Sequence, residues 1–587
     1  MTQVQQLPHY VRIYPQNLDS LKNDILSSKD SYVAVDTETT GLRWMEDRAF
    51  GVSLAWDDKA TFIRNTDFGT ANIGSLLTEI FKADYKTFVF HNCEFDLHMI
   101  RETYGALPPK NLLDTLRLAH LRDTGGPKGL KELGEAIFGD VASANEKTIK
   151  MYMEQYHLKN YSYVPADFMD PYACMDTVLT KALAYLFLDE LKVRPGHTQL
   201  IDMEHRLIPV IMAMEQRGIK IDLEYCSTLH RQLKSQQRDI QDEIYTIVGR
   251  PLELSSPKQL GEYFYDQLRI KPTIETEGGS RSTNVKALAK ITHPVGSKVA
   301  QLILNWRDLE KLDNTYVQSY PKLQHKGRIH AHWNASGTIT GRFSGSSPNL
   351  QNIPRKKEIR RLFVPDHEFF DFDYAQQELR VAAHVSKQQN MIDAFNRGVD
   401  MHMYTANLIW GSGATKDQRQ TAKQTNFASL YGAGAKKLAD EAGISYRQAS
   451  SIFDQFWTSY PELRYYSETQ LPKEIATRGY VRTLYGRRIH VAGKDSYKGV
   501  NYVIQGTCAE MSKISLFNVW EHLNQVGGNI CNVVHDSIVL DEVDESSLPR
   551  IKEIMEDFTN SPYGRFNVPM VVEMKHSKKS WGDMSDE

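Results

Sequence analysis

The sequence predicts a multidomain protein of the α+β class. Three observations carry this. The chain has 587 residues, enough for about three to five domains. Its N-terminal third and C-terminal half each hold short apolar runs of period two, which read as strands, beside longer stretches with helical spacing. In several places such a run ends in a carboxylate where the next element begins, so the strands look like frames for sites.

The composition is that of an ordinary soluble globular protein, 41% hydrophobic and 24% charged. The five cysteines, Cys93, Cys174, Cys226, Cys508 and Cys531, are scattered and never in a metal-binding spacing. This points to a reducing compartment and no zinc site. The longest apolar run, around 207–214, is too short to span a bilayer, and the opening Met-Thr-Gln-Val-Gln-Gln has no secretory or transit pattern. Net charge is −3, so contact with a polyanion needs local basic surface such as Arg355-Lys-Lys-Glu-Ile-Arg-Arg361. No internal repeat or long low-complexity tract is visible.

From the N-terminus, Ser31–Gly41 begins as an apolar strand carrying Asp36 and Glu38, two apart and so on one side. Val52–Trp56 and Thr61–Arg64 read as further strands of a meander. Thr87–Asn92 is another strand, and Cys93–Tyr104 a helix with Asp96 in its first turn. Phe168–Leu191 reads as a helix leading out of the domain, with Tyr172 and Asp176 four apart on one face. Each acid taken alone reads as a surface acid.

Arg194-Pro-Gly196 marks a boundary. Asp222 caps a helix running to Val248 and stopped by Gly249. Ser256-Pro257, with Gln259 three beyond the cap, opens another. Glu275–Ser282 is a loop, and Ser297–Tyr316 a helix carrying Arg307, Lys311, Thr315 and Tyr316. No long insertion announces a docking site for a separate protein.

Three stretches of the C-terminal half carry chemistry. In Glu368–Arg380, Phe370, Phe372 and Tyr374 alternate with Asp371 and Asp373, and a helical pattern follows. Asp373 therefore stands where a strand ends and a helix begins, either as a cap for that helix or as a rigidly held, solvent-reachable ligand. In Asn529–Asp541 two apolar strands flank His535-Asp536-Ser537, a corner that is not a favoured hairpin turn. Two carboxylates about 4 Å apart would repel by roughly 4 kcal/mol at an effective dielectric of about 20. Divalent cations remove that cost, and two Mg²⁺ about 4 Å apart suit in-line displacement at phosphorus. In Lys416–Gly432, Arg419, Lys423, Phe427 and Tyr431 recur every four residues along one helical stripe. Two cations then two aromatics suit a triphosphate with a stacked base; a solvated basic face running into a core edge is the alternative.

These three stretches resemble motifs A, B and C of the family A DNA polymerases, with Tyr-Ala-Gln-Gln-Glu-Leu-Arg380 close to that family's Tyr-Ser-Gln-Ile-Glu-Leu-Arg. Asp36, Glu38, Asp96 and Asp176, with Tyr172 and with Asn92 and Phe95 in the second motif, resemble the DEDD proofreading nucleases. The resemblance spans about residues 30–580. It implies a ribonuclease-H-like 3′-5′ exonuclease domain (1–195) followed by a right-hand polymerase: thumb (196–325), first part of the palm (326–385), fingers (386–495) and second part of the palm (496–587).

The resemblance also implies the roles. Asp373, Tyr374 and Asp536 would hold two Mg²⁺ for synthesis, with Mn²⁺ as the substitute. Asp36, Glu38, Asp96 and Asp176 would hold a second pair, with Tyr172 orienting the attacking water. Arg419, Lys423 and His402 would contact the nucleotide phosphates, Phe427 its sugar and base, and Tyr431 the place where the templating base enters. Glu378 would exclude a ribose 2′-hydroxyl, and Gln376 also falls among the nucleotide contacts. Arg355 or Lys356 would lie near the incoming nucleotide. Arg342, Asn501, Gln505, His535, Asn349 and Gln351 would contact DNA, largely in the minor groove, where acceptors are common to every base pair.

The chain departs from the family at Ser537, where relatives mostly have Glu, at Ala428, usually Gly, and at Ser496-Tyr497, where relatives have Glu-Arg. The expected partners are primer-template DNA and deoxynucleoside triphosphates, with no membrane and a monomeric state. The expected setting is the cytoplasm of a bacterial or phage-infected cell, with an organelle as the alternative. The flap-nuclease domain that precedes this unit in bacterial polymerase I has no counterpart here, which would fit a phage or organelle enzyme or a truncated chain. The Glu378 position and the nuclease acids argue against a single-subunit RNA polymerase. The full set of carboxylates argues against a catalytically dead scaffold.

Overall fold

A computed structural model describes residues 5–558 and 566–586. The opening Met1–Val4, part of the stretch read above for a leader, lies outside the described residues. The N-terminal unit is built on a six-stranded sheet in the order β1-β4-β3-β2-β5-β6. Its strands are β1 (Val11–Arg12), β2 (Tyr32–Thr39), β3 (Ala49–Trp56), β4 (Lys59–Arg64), β5 (Thr87–Phe90) and β6 (Leu112–Asp114). β2 is central, antiparallel to β3 and parallel to β5. Val33, Ala34 and Val35 are buried, as expected for a strand covered on both faces. Its C-terminal end delivers Asp36 and Glu38 from a rigid frame.

The expected strand through Asn92 stops at Phe90, because Asn92 takes a left-handed conformation (φ 69°) at the start of helix α1 (Cys93–Tyr104). Two further helices complete the N-terminal site, α2 (Leu130–Phe138) and α3 (Ala166–Lys192).

Gly196, at φ 83°, divides α3 from α4 (His197–Arg217). The expected boundary is therefore a helix break, but not a loose linker. α4 is buried along Leu207, Ile208, Val210 and Ile211, and one apolar core runs from the N-terminal unit into the C-terminal one. Charges cross the same junction. Glu204 of α4, 1% exposed, accepts from Arg487 Nη2 at 2.5 Å and Lys513 Nζ at 2.7 Å. Arg117 Nη1 donates to its backbone carbonyl at 2.6 Å. Buried charges are tolerated only when partnered this fully.

Helix α5 (Leu223–Val248) starts at an Asp222 side chain that accepts from Tyr225 N and ends at Gly249 in the left-handed region, as read from the sequence. The helix expected at Ser297 begins earlier, as α6 (Pro294–Leu312), because the His293 side chain caps it at Gly296 N. It then widens into a π turn over Asp313–Val317.

The C-terminal unit centres on a four-stranded antiparallel sheet. Its strands are β7 (Phe369–Tyr374), β8 (Asn529–Val534), β9 (Ser537–Asp541) and β10 (Val572–Ser577), in the order β8-β9-β7-β10. Around it stand α7 (Gln377–Ser386), α8 (Met401–Trp410), α9 (Lys416–Leu430) and α10 (Gly499–Val526). α7 packs against α10. In β7, Phe370, Phe372 and Tyr374 are buried and Asp373 is exposed, so the alternation read from sequence holds. No helix among the described residues is long and apolar enough to cross a membrane.

Candidate active sites

Two carboxylate sites lie at strand ends. In the N-terminal one, Asp36 and Glu38 of β2 meet Asp176 of α3, with ligand oxygens all within 4.8 Å of one another. Asp96 stands beside them, held by Thr37 between the two β2 acids: its Oδ1 accepts from Thr37 N at 2.9 Å and Thr37 Oγ1 at 2.6 Å. Burial pushes the Asp36 carboxyl up to about 7 against the pull of the Lys131 ammonium. Burial, then Asp36, raises Glu38 and Asp96 as well. Three of the four acids, Asp36, Glu38 and Asp96, resist ionisation when left to themselves, which suits the set to divalent cations that would stabilise the charged forms together. Tyr172 lies one turn before Asp176, buried and edge-on to Tyr161 at 5.6 Å.

The sequence reading missed Lys131 of α2. Its ammonium pairs with Asp176 and sits over the Tyr172 ring at 4.6 Å. Nothing in the local pattern distinguishes it from any lysine of an amphipathic helix; only the folded position of α2 does.

In the C-terminal site, Asp373 lies directly across from Ser537 in the β7–β9 register. Asp536 occupies the two-residue turn between β8 and β9, next to His535 at φ 56°. A non-glycine residue there is strained. Gln351 braces the turn: its Nε2 donates to Val533 O at 2.6 Å and its Oε1 accepts from His535 N at 2.9 Å. Asn349 Oδ1 in turn accepts from Gln351 N at 2.9 Å. Both side chains expected on DNA are thus engaged inside the protein.

The surrounding protein, with Asp371 and then Asp536, pushes Asp373 up to about 7. Asp371, missed as a site residue, accepts from Trp581 Nε1 at 3.3 Å, and its Oδ1 is buried without a partner; burial raises its carboxyl, opposed first by the nearby Ser537 hydroxyl. Ser537, the departure from the family's glutamate, therefore lies beside a neighbouring acid. Tyr374 corrects the expected ligand set. Its side chain is not available: the hydroxyl is buried on the opposite face, 2.6 Å from both Ser515 Oγ and Met555 O, so Tyr374 can enter the set only through its backbone carbonyl.

Glu378, in the first turn of α7, accepts from Arg342 Nη2 at 2.5 Å and from the Tyr431 hydroxyl at 3.0 Å. Arg342 also stands 3.9 Å from Asp536. Gln376 takes the left-handed conformation (φ 58°) at the cap of α7, and its Oε1 is buried without a partner.

Arg419, Lys423 and Phe427 lie along α9, but Tyr431 is its C-cap, one residue beyond the helix. The helix ends there because Gly432 turns the chain at φ 65°. Tyr431 still stacks on Phe427, with centroids 6.2 Å apart. Arg419 Nη2 is held by Asp400 at 2.6 Å. His402 Nδ1 meets Asn426 Nδ2 at 3.0 Å. Burial, helped by Lys423 and Arg419 and opposed by Asp400, takes His402 down to about 4, so it is a neutral hydrogen-bonding group at pH 7.

Asn501 and Gln505 lie a turn apart on α10, and Gln505 stands near the Tyr431 hydroxyl. Of the two basic candidates, Lys356 is paired with Asp308, while the charge of Arg355 acts on Asp373. Lys498, next to the Ser496-Tyr497 departure, is paired with Asp495 at 3.0 Å.

Comparison with known proteins bears on both sites. The family description "DNA polymerase family A" matches residues 223–583, and "3′-5′ exonuclease" matches residues 14–192. DNA polymerase I of Chloroflexus aurantiacus is 30% identical across 94% of this chain and 61% of its own length. The thermostable DNA polymerase I of Thermus filiformis is 35% identical across 64% of this chain and 47% of its own. The chain thus spans about half to three fifths of these relatives. In fold it matches the polymerase domain of Pol1 from M. smegmatis, solved with DNA primer-template and dNTP, with a TM-score of 0.81 over 97% of this chain and 99% of that one at 23% identity. With the polymerase match covering most of the chain and the exonuclease match covering the unit that precedes it, the chain belongs to the family A DNA polymerases and carries a 3′-5′ exonuclease domain.

Proposed function

We propose that this chain is a template-directed DNA polymerase that adds deoxynucleotides to a primer 3′ end and removes misplaced ones with a 3′-5′ exonuclease. The observation that carries the reading is the meeting of Asp373, Asp536, Glu378 and the Phe427–Tyr431 end of α9 at one end of one sheet. Residues 1–195 serve as the exonuclease, 196–325 as the thumb, 326–385 and 496–587 as the palm, and 386–495 as the fingers.

Asp373 and Asp536 hold divalent metal, Mg²⁺ or Mn²⁺, which when bound would activate the primer hydroxyl and offset charge on the departing pyrophosphate. Arg419, Lys423 and neutral His402 bind the phosphates, and Phe427 packs on the sugar and base. Glu378 crowds the 2′ position, held there by Tyr431. Gln351 acts as a positioning residue for the turn that carries Asp536. In the exonuclease, Asp36, Glu38, Asp96 and Asp176 form the ligand set and Tyr172 orients the attacking water. Asn501, Gln505 and Arg342 meet the primer-template once Arg342 leaves Glu378. The five cysteines are all free and buried, which fits a reducing cytoplasm, and the working form is a monomer.

The test is a 5′-labelled primer on a longer template with Mg²⁺, with and without deoxynucleotides. Lengthening with them and shortening without them is expected. Failure to lengthen would overturn the polymerase reading, and failure to shorten would overturn the nuclease reading.

A further inference from the structure

Lys131 places a positive charge inside the N-terminal acid cluster. It belongs to none of the segments that carry the four acids: it projects from the first turn of α2, is 16% exposed, and pairs with Asp176. It lies over the ring of Tyr172, and the charges of Asp36 and Glu38 also act on it. A second acid of a different kind reaches it. Glu146, on the helix Ala144–Tyr156, acts on the Lys131 charge and is itself paired with Lys150 at 2.8 Å. Lys131 therefore has its paired carboxylate, Asp176, inside the cluster, while Glu146 outside it acts on its charge from a longer distance. A lysine side chain carries a compact charge on a flexible four-carbon stem, well suited to moving between two such partners.

We propose that Lys131 is a resident cation that competes with divalent metal for Asp176, and that the cluster takes up metal as the ammonium moves from Asp176 toward Glu146. This rests on the reading of Asp36, Glu38 and Asp176 as metal ligands. The physical reason is direct. An ammonium on one carboxylate of three removes a ligand and repels an incoming dication, while its departure restores both the ligand and the negative field. The exchange makes and breaks only ion pairs, so no covalent or redox step is involved.

The experiment measures Mn²⁺ binding by electron paramagnetic resonance on the full chain carrying Asp373→Asn and Asp536→Asn, so that the N-terminal cluster is the site observed. Lys131→Met is expected to tighten Mn²⁺ binding by about tenfold or more, Glu146→Gln to weaken it several-fold, and Lys131→Arg not to tighten it. Thermal melting of the same proteins serves as the check on folding: metal-free Lys131→Met should melt lower than its parent, and saturating Mn²⁺ should raise it by more. Equal Mn²⁺ affinity in parent and Lys131→Met, with Mn²⁺ still bound, would overturn the role of Lys131 and leave the metal reading standing. No Mn²⁺ bound by the parent or by any variant would overturn both.

Discussion

The two carboxylate sites solve one electrostatic problem in different ways. The N-terminal cluster is closed. Its acids come from a central strand and two helices, Asp96 is tied down by Thr37, and Lys131 supplies a positive charge. The C-terminal site is open and unfinished. Asp373 faces solvent, Asp536 rides on a strained turn, and Arg342 is shared between Glu378 and Asp536. The contrast follows from what each site must admit. A nuclease needs only a strand end beside a fixed ligand set. A polymerase must accept a new nucleotide at every cycle, so its phosphate and base contacts are borrowed from one another until substrate displaces them. On the proposed assignment of these residues, Arg419 on Asp400 and Tyr431 on Glu378 are such borrowed contacts.

The largest effect that sharpens this comparison is separation of the two activities. Asp373→Ala should lower synthesis about 1,000-fold or more while 3′ trimming persists. The Asp36→Ala/Glu38→Ala double variant should do the reverse, extending primers yet leaving a terminal mismatch in place. Retained synthesis in the first, or retained mismatch removal in the second, would break the division of labour.

The next effect tests the brace. Gln351→Ala removes two hydrogen bonds that hold the turn at His535 and leaves Val533 O and His535 N unpaired, which should cost about 1–3 kcal/mol of stability. Urea unfolding measures the loss. Primer extension should show kcat falling more than the KM for nucleotide changes, and a KM effect alone would return Gln351 to the DNA or nucleotide contacts.

The acid–base prediction is smaller. Asp373 is raised from an ordinary carboxylate to about 7 in the metal-free protein, so its proton favours the folded state. That contribution is full at low pH and fades as pH rises toward and through 7. Metal must displace the same proton. In the Asp36→Ala/Glu38→Ala variant, Mn²⁺ affinity should fall up to about tenfold per pH unit below 7 and level off above it. A flat profile from pH 5.5 to 8 would mean that Asp373 is ionised throughout.

The smallest effect concerns sugar choice. Glu378→Ala frees Arg342 and Tyr431 and opens the pocket, so ribonucleotide use relative to deoxyribonucleotide use should rise about fivefold or more in single-nucleotide insertion. An unchanged ratio would remove Glu378 from the sugar contacts.

The sequence by itself determined the frames and their acids. Period-two runs ending in Asp36/Glu38 and in Asp373, the helix Cys93–Tyr104, the cap at Asp222 and the stop at Gly249 are local facts. They are set by alternation, by side-chain hydrogen bonds to nearby amides and by the conformational freedom of glycine. The corner at Asp536 was legible too, because a turn residue against preference stands out between apolar strands. Only the tertiary structure decided the rest. It brought Lys131 onto Asp176, set the Ser537 hydroxyl beside Asp371, placed Gln351 as a brace against the turn that carries Asp536, and moved Tyr431 from the helix to its cap. Each depends on groups from different segments meeting in a low-dielectric interior, where an unpaired charge or amide is costly and finds whichever partner the packing brings near. No spacing along the chain encodes that meeting.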